Sequence, residues 1–254
     1  MNKLLIMLLL IACPLAVTAE DNDPVTTDTV VTPPVAAEET GDDELFQFDE
    51  EDELDVSDPL EPFNRGVFWF NDKLYFYLIK PIARGYRWAV PEPWRIAVQN
   101  VFSNLGTPVR FVNAGLQGKF SDAGTELARF GINTTIGIAG LFDTAKDHFD
   151  LRKKDEDTGQ TLGHYGVGTG FYLVLPIIGP SNPRDALGLL VDSRENLLYY
   201  LAEGRKYWGL RAYDKINDLS IDKDTYEGIK KDALDPYLFV RDAFIQYRQN
   251  KVDN

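Results

Sequence analysis

Cysteine is nearly absent from this chain of 254 residues, which contains only Cys13. A single thiol excludes an internal disulfide framework and any zinc site built from cysteines. Histidine is almost as rare, since only His148 and His164 occur, and neither has an evident serine or cysteine partner. The sequence also lacks the G-x-S-x-G turn of serine hydrolases, and its glycine-rich residues 163–170 lack the lysine of a P-loop. We therefore predict no catalytic residues, no metal site and no cofactor.

Clusters of basic residues are missing as well. The net charge is −14, but 16 of the 40 acidic residues lie within residues 20–58, where no lysine or arginine occurs. From Pro59 onward, 24 acidic residues stand against 25 basic ones. A nearly neutral body without a basic block lacks the electrostatic footprint of a nucleic-acid-binding protein, so we expect no nucleic-acid partner.

The first 19 residues have the pattern of a secretory signal peptide, with Lys3 followed by an unbroken apolar run over residues 4–12. Two cleavage sites compete. One precedes Glu20, and the other precedes Cys13, where Leu-Ile-Ala-Cys matches a lipobox that would place a lipid on the thiol. The residues favour the simpler interpretation that Cys13 is one more apolar residue of the signal. The apolar run is short for a transmembrane anchor.

Residues 20–57 form an acidic leader rich in threonine, proline, aspartate and glutamate. Low hydrophobicity and charge of one sign do not offset the entropy lost on ordering, so we predict that this leader is disordered. The predicted organisation is therefore a signal peptide over residues 1–19, the leader over residues 20–57 and one folded domain over residues 58–254.

The aromatic-rich residues 58–94 are the stretch around which the folded domain is organised. The run Asp58-Pro59-Leu60-Glu61 is typical of a helix start, with the Asp58 carboxylate as the cap. Beyond it, apolar residues recur along three stripes of a helix and leave little polar surface. Such a helix is either buried on nearly all sides or in contact with lipid. Residues 63–80 would span about 27 Å, which is short for crossing a bilayer.

Other segments also lack the alternation of polar and apolar faces that is typical of helices in soluble proteins. Trp69, Trp88 and Trp94 lie near lysines and arginines, which is typical of a membrane interface. Residues 131–142 are uncharged and alternate glycines with isoleucines, so they form either a buried helix hairpin or an element that faces membrane or channel. Where a backbone approaches closely or bends, glycine is favoured, and the candidates for such positions are Gly137, Gly140, Gly166 and Gly168. Residues 151–170 are expected to form a loop, and strand-like alternation is nearly absent, so the body is predicted to be all-α.

Four blocks of sequence carry a family resemblance: DPLEPFNR with K-P-I-A-R-G-Y, RFGINTTIGIAGLFD, GQTLGHYGVGTGFYLVLPIIGPSNPRD and DPYLFVRDAF. Together they span residues 58–247, and they resemble the MlaA/VacJ family of outer-membrane phospholipid-transport lipoproteins. The chain departs from the family pattern at its N-terminus, in the lipobox and in the longer acidic leader.

The resemblance implies a compact ring-like bundle of amphipathic helices on the periplasmic side of the outer membrane. It implies a non-enzymatic conduit that removes mislocalised phospholipid from the outer leaflet. Its implied partners are phospholipid, a periplasmic carrier of the MlaC type and a trimeric porin. We expect aliphatic and aromatic side chains to line the lipid channel, the candidates being Phe68, Phe70, Leu74, Tyr75, Ile132, Ile136, Ile138, Leu141, Leu173 and Leu175. The alternatives are a structural envelope protein and, less favoured, a lipid hydrolase that uses His164.

The apolar faces of residues 63–79 predict that the folded body associates with the membrane whether or not Cys13 carries a lipid. A single acyl chain alone gives only marginal binding, with an association constant on the order of 10⁴ M⁻¹. The test is to express residues 20–254 behind an unrelated signal peptide and to fractionate the envelope, where we expect the protein in the membrane pellet. Recovery as a soluble periplasmic monomer would show that the apolar faces are internal.

Overall fold

The computed structural model of this chain describes residues 58–202, 204–222 and 224–253. The predicted signal peptide, Cys13 and the acidic leader lie outside the described residues, and the predictions about them stay predictions.

Most of the described chain is helical, which confirms the predicted all-α class. Its helices are α1 (Glu61–Leu74), α2 (Lys80–Ala89), α3 (Glu92–Leu105), α4 (Thr107–Leu116), α5 (Phe120–Thr135), α6 (Thr144–Phe149), α7 (Thr158–His164), α8 (Pro183–Glu195), α9 (Leu197–Leu201), α10 (Arg205–Ile221), α11 (Thr225–Asp232) and α12 (Pro236–Asp253). A π-helical turn, Tyr75–Ile79, joins α1 to α2. Helix α7 lies inside residues 151–170, so the prediction of a continuous loop there was wrong. Its N-terminus is capped by the Asp157 side chain, as aspartate favours.

A small antiparallel hairpin interrupts the helices. Its strands are β1 (Leu173–Leu175) and β2 (Gly179–Ser181), paired with Val174 opposite Pro180. Two asparagines of α1 hold β1 in place, since the Asn64 amide donates to Tyr172 O (3.0 Å) and accepts from Val174 N (2.9 Å). Asn71, two helical turns further on, pairs with the backbone of Leu175 and Ile177 in the same way. Each side chain supplies a donor and an acceptor to the strand backbone, which would otherwise lack partners on that side.

The start of α1 differs from the predicted cap. The helix begins at Glu61, and the Asp58 carboxylate accepts hydrogen bonds from the Asn64 amide (2.8 Å) and from the Tyr237 hydroxyl. Arg65 adds an ion pair to Asp235 at 2.9 Å. These long-range contacts join α1 to the beginning of α12, so Asp58 connects distant parts of the chain rather than capping its own helix.

Many polar side chains of this protein are buried, and many large apolar side chains are exposed, unlike in an ordinary globular protein. Of the seven largest side chains that are fully buried, six are polar, and Val174 is the exception. Conversely, Trp88, Tyr77 and Phe120 are 91%, 77% and 76% exposed. Because monomeric soluble proteins rarely expose extensive apolar surface, this exterior points to contact with lipid or protein. None of the described helices combines the length and the apolarity needed to cross a bilayer.

Within the described residues, buried apolar side chains form two small clusters. One is built on Tyr172, Val174 and Tyr237 and joins the hairpin to α1 and α12. The other is built on Leu198, Ala202 and Tyr207, near α3 and α10. Elsewhere polar groups connect the helices. The Asn217 amide donates to Arg95 O at 2.9 Å, and the buried Arg95 guanidinium donates to the backbone of Ser220. The framework therefore depends on hydrogen bonds between buried polar groups more than on a single apolar core.

Residues 131–142 are divided between the end of α5 and a tight turn. Helix α5 stops at Thr135, and Ile138, Ala139 and Gly140 then adopt positive φ angles of 53°, 57° and 91°. A Cβ atom on Gly140 would lie 2.7 Å from the Asn104 side chain, and one on Gly137 would lie 2.4 Å from Phe142 O. At Gly137 the turn is thus closed by direct contact of backbone with backbone.

Replacing Gly137 by alanine is expected to destabilise the protein by about 1–3 kcal/mol, because the new methyl group overlaps a backbone oxygen that cannot rotate away. The matched control is Gly131→Ala in α5, where nothing lies within 4 Å of the new methyl group. That variant should be unchanged or slightly more stable, since alanine favours helix over glycine. Denaturant unfolding measures both. Equal stability of the two variants would contradict the close approach at Gly137.

Candidate functional site

A cavity of about 860 Å³ lies within the described residues. Helices α3, α4, α5, α6, α8 and α10 contribute to its wall. Most of the lining side chains are polar, and the charged ones are Arg110, Arg129, Asp143, Lys146, Asp147, Asp150, Arg152, Lys153, Asp192, Arg211, Asp214 and Asp218. The candidate site is therefore a charged chamber inside a body whose surface is rich in apolar side chains.

One side of the chamber is held by Glu126, a fully buried carboxylate of α5. It accepts a hydrogen bond from Arg110 Nε of α4 (2.7 Å) and lies 3.6 Å from Arg129 Nε, one turn along its own helix. The backbone N–H of Lys154 donates to its other oxygen at 2.8 Å. A buried carboxylate without such partners would be strongly destabilising, so the two arginines and Glu126 form one unit.

The same unit extends to the start of α6. Arg129 Nη2 donates to Asp143 at 2.9 Å, and the Asn133 amide donates to the other Asp143 oxygen at 2.8 Å. Burial raises the pKa of Asp143, but the hydrogen bonds from Arg129 and Asn133 outweigh it and leave the pKa below its ordinary value. Asp143 therefore remains ionised on the cavity wall, where it caps α6 by accepting from Lys146 N.

The opposite side carries carboxylates with few cations. Asp192 of α8 accepts from the Thr158 hydroxyl (2.6 Å) and from the Thr158 N–H, and no lysine or arginine of the described chain pairs with it. Burial and the neighbouring Asp157 and Glu195 raise its pKa to about 6, against the lowering effect of Thr158.

Two further carboxylates lie one helical turn apart on α10. Burial, with the nearby charge of Asp218, raises the pKa of Asp214 to about 6, and Arg211 and Lys215 offset this only in part. Asp218 itself accepts from the Gln99 amide at 3.0 Å. This side of the chamber is thus short of positive charge.

A third polar unit lies near the acidic side. Arg248 of α12 donates to both oxygens of Asp157 (2.7 and 3.0 Å) and both oxygens of Asp185 (2.7 and 2.9 Å). Burial raises the pKa of Asp157, but these contacts with Arg248 reverse the effect and leave it below its ordinary value. Arg248 fixes α12 against α7 and α8, and so supports the helix that carries Asp192.

None of the ten predicted channel side chains is among those that line the chamber. Phe68 packs in the cluster with Tyr237 (ring centroids 5.7 Å apart), and the Tyr75 hydroxyl donates to Glu227. Phe70, Ile136 and Ile138 are exposed at the surface. The remaining side chains are half-buried, and these are Leu74, Ile132, Leu141, Leu173 and Leu175.

The other predicted positions also lie apart from the chamber. Trp69, Trp88 and Trp94 are exposed, which leaves their interface role a prediction. A Cβ atom on Gly166 or Gly168 would have no heavy atom within 4 Å, so neither glycine makes the close approach found at Gly137 and Gly140.

Sequence reasoning missed the residues that build the chamber. Arg110, Glu126 and Arg129 stand on helices whose other residues suggest ordinary amphipathic packing. The available signal was a charged residue at an interior position of each helix, with Glu126 and Arg129 three residues apart on one face. The sequence does not reveal which partner each charged residue has, because Arg110 and Glu126 come together only when α4 packs on α5.

Similarity to known proteins extends over most of the described chain. The family profile described as MlaA lipoprotein matches residues 56–251. The Escherichia coli (strain K12) protein named intermembrane phospholipid transport system lipoprotein MlaA is 36% identical over 200 residues, which cover 77% of this chain and 78% of that protein. An uncharacterized protein of Rickettsia prowazekii is 39% identical over 201 residues, which cover 78% of this chain and 79% of that protein.

A solved structure reported as the "Structural basis for maintenance of bacterial outer membrane lipid asymmetry" matches with a TM-score of 0.70 and 35% identity. The match covers 77% of this chain and 99% of that chain. A helical body with a charged interior and an apolar exterior belongs to the class of proteins that contact lipid. The chain belongs to the MlaA family, and the resemblance inferred from its motifs is confirmed.

The raised pKa of Asp214 predicts a pH-dependent effect of Asp214→Asn. In the native state this carboxyl is protonated well below pH 6 and ionised above it, so its cost to stability appears as the pH rises through about 6. We expect the variant to exceed the wild type by about 1–3 kcal/mol in free energy of unfolding at pH 8, and the gain to vanish near pH 4. Denaturant unfolding across this range measures it, with the exposed Asp232→Asn as the control. A gain that does not change with pH would contradict the prediction.

Proposed function

We propose that this protein is a non-enzymatic phospholipid conduit that removes mislocalised phospholipid from the outer leaflet of the outer membrane. The observation that carries the proposal is the charged chamber inside a body with an apolar exterior. A phospholipid has a charged headgroup and apolar chains, and a bilayer interior excludes the headgroup alone. A chamber of this polarity offers the headgroup an alternative to the hydrocarbon region.

In this proposal the exposed apolar residues contact lipid, whereas the sequence predicted that they line a channel. Phe70, Ile136 and Ile138 face outward and contact the acyl region of the membrane or of the lipid in transit. Trp69 and Trp88 lie at the interface with the headgroups, where aromatic side chains are favoured. The headgroup follows the chamber, so the polar and apolar parts of the lipid use different surfaces of the protein.

We infer the location and partners from the resemblance to the family. The protein lies on the periplasmic side of the outer membrane, where it passes lipid to a periplasmic carrier of the MlaC type and can lie beside a trimeric porin. The name of the Escherichia coli relative, with its words "intermembrane phospholipid transport system", supports the envelope location and the role in phospholipid transport.

The hydrolase alternative finds little support. His164 is exposed, and its ring contacts Tyr165 with centroids 5.3 Å apart. No hydroxyl or carboxylate of the described residues hydrogen-bonds its imidazole, whereas a general base needs a partner to orient it and a nucleophile within reach. A purely structural role does not explain why the protein contains a charged chamber.

A removable block in the chamber tests the conduit. Ser193 lines the chamber, and a Ser193→Cys variant can be labelled with a bulky maleimide after folding. We expect labelling to strand phospholipid in the outer leaflet, because the adduct occupies the headgroup path. The readout is the susceptibility of outer-leaflet phospholipid to an added phospholipase.

The matched control is Ser121→Cys, at an exposed position near the start of α5 and away from the chamber. Mass spectrometry establishes the extent of labelling at each site, and Cys13→Ser in both backgrounds removes the native thiol. Normal lipid asymmetry with Ser193→Cys fully labelled would reject the chamber as the path.

A further inference from the structure

The charged residues of the chamber are segregated by sign. The side formed by α4, α5, α6 and the residues that follow α6, here called the basic wall, carries five cations and three carboxylates: Arg110, Arg129, Lys146, Arg152 and Lys153, with Asp143, Asp147 and Asp150. The side formed by α8 and α10, here called the acidic wall, carries Asp192, Asp214 and Asp218 with Arg211 alone. The lining residues of the two walls therefore have formal charges of +2 and −2, and the buried Glu126 lowers the charge of the basic side to +1.

The carboxylates of the acidic wall are mostly not neutralised by ion pairs within the protein. Among the described residues, neither Asp192 nor Asp218 has a lysine or arginine at ion-pair distance, and their partners are neutral groups of Thr158 and Gln99. Asp214 shares one contact of 3.3 Å with Arg211, at the other end of the same helical turn. Asp214 and Asp218 stand one turn apart, so a single cation can reach both carboxylates.

The basic wall has a buried part and an accessible part. Arg110 and Arg129 are committed to Glu126 and Asp143. Lys146 is exposed and has no ion partner in the described chain, and the only ion pair of Arg152 found there is a loose one of 3.7 Å to the exposed Asp150. The cations available to a ligand therefore lie at α6 and just after it, whereas the available carboxylates lie on α8 and α10.

We propose that the chamber selects zwitterionic phospholipid headgroups, with the ammonium held between Asp214 and Asp218 and the phosphate directed to Lys146 and Arg152. The inference rests on the proposed conduit function and specifies which lipid it favours. Both charges of such a headgroup find an opposite charge, and at the acidic wall the ammonium competes only with the 3.3 Å contact between Arg211 and Asp214. An anionic headgroup that ends in a hydroxyl leaves the acidic wall uncompensated, and its net charge is repelled there.

The expected consequence is a difference in affinity between two lipids with identical acyl chains. Full-length protein in detergent is titrated with phosphatidylethanolamine and with phosphatidylglycerol, each carrying the same fluorescent acyl group. We expect the wild type to bind phosphatidylethanolamine more tightly, and the double variant Asp214→Asn/Asp218→Asn to lose about tenfold of that preference, the size of one lost charge-assisted hydrogen bond. The stability gain expected for Asp214→Asn argues against unfolding as the cause of such a loss, and circular dichroism checks it.

Two further variants distinguish the contribution of the acidic wall from that of the basic wall. Asp232→Asn makes the same chemical change at an exposed site of α11 and should keep the preference. Lys146→Gln should weaken both lipids to a similar extent, because both carry the phosphate. Soluble glycerophosphoethanolamine should displace the fluorescent phospholipid only at much higher concentration, since it lacks acyl chains. Competition at equal concentration would instead assign the site to a free headgroup.

Equal affinity of the wild type for the two lipids, or a preference that survives in the double variant, would overturn the inference and leave the conduit standing. Failure of the wild type to bind either lipid would overturn both. The two proposals thus fail by different results.

Discussion

The contact of Glu126 with Arg110 and Arg129 is the constraint on which the site depends. A fully buried carboxylate is tolerated only with cations and hydrogen-bond donors around it. Here Arg110 of α4 and the backbone of Lys154 donate hydrogen bonds, and Arg129 of α5 adds an ionic contact at 3.6 Å. Arg129 then reaches Asp143 and orients the start of α6. Removing any member would leave a buried charge with fewer partners, so the basic wall of the chamber forms as one unit.

Polar contacts of this kind recur where a globular protein would use apolar packing. Asn64 and Asn71 bind the hairpin backbone, Asn217 and Arg95 join α10 to α3, and Arg248 bridges two aspartates. Polar groups, most of them hydrogen-bonded, occupy much of the interior, and many large apolar side chains are exposed at the surface. One arrangement therefore explains both the charged chamber and the exterior suited to lipid.

Much of the fold could be predicted from the sequence, but the site could not. Caps and apolar periodicity predicted helices, and the all-α class was confirmed. The channel candidates were chosen because they are apolar, and three of them, Phe70, Ile136 and Ile138, are exposed without lining the chamber. Helical periodicity shows which residues share a face, but it does not show whether that face meets protein, lipid or a cavity.

The sequence by itself determined the helical character of the body, its near-neutral charge and its family, because these follow from local patterns and short motifs. Only the tertiary structure decided that Arg110 meets Glu126, that Asp58 meets Tyr237, and that Asp192, Asp214 and Asp218 share one wall. The reason is physical. A charge is as compatible with a solvated helix face as with a buried pair, and the packing of distant helices supplies the partner that distinguishes them.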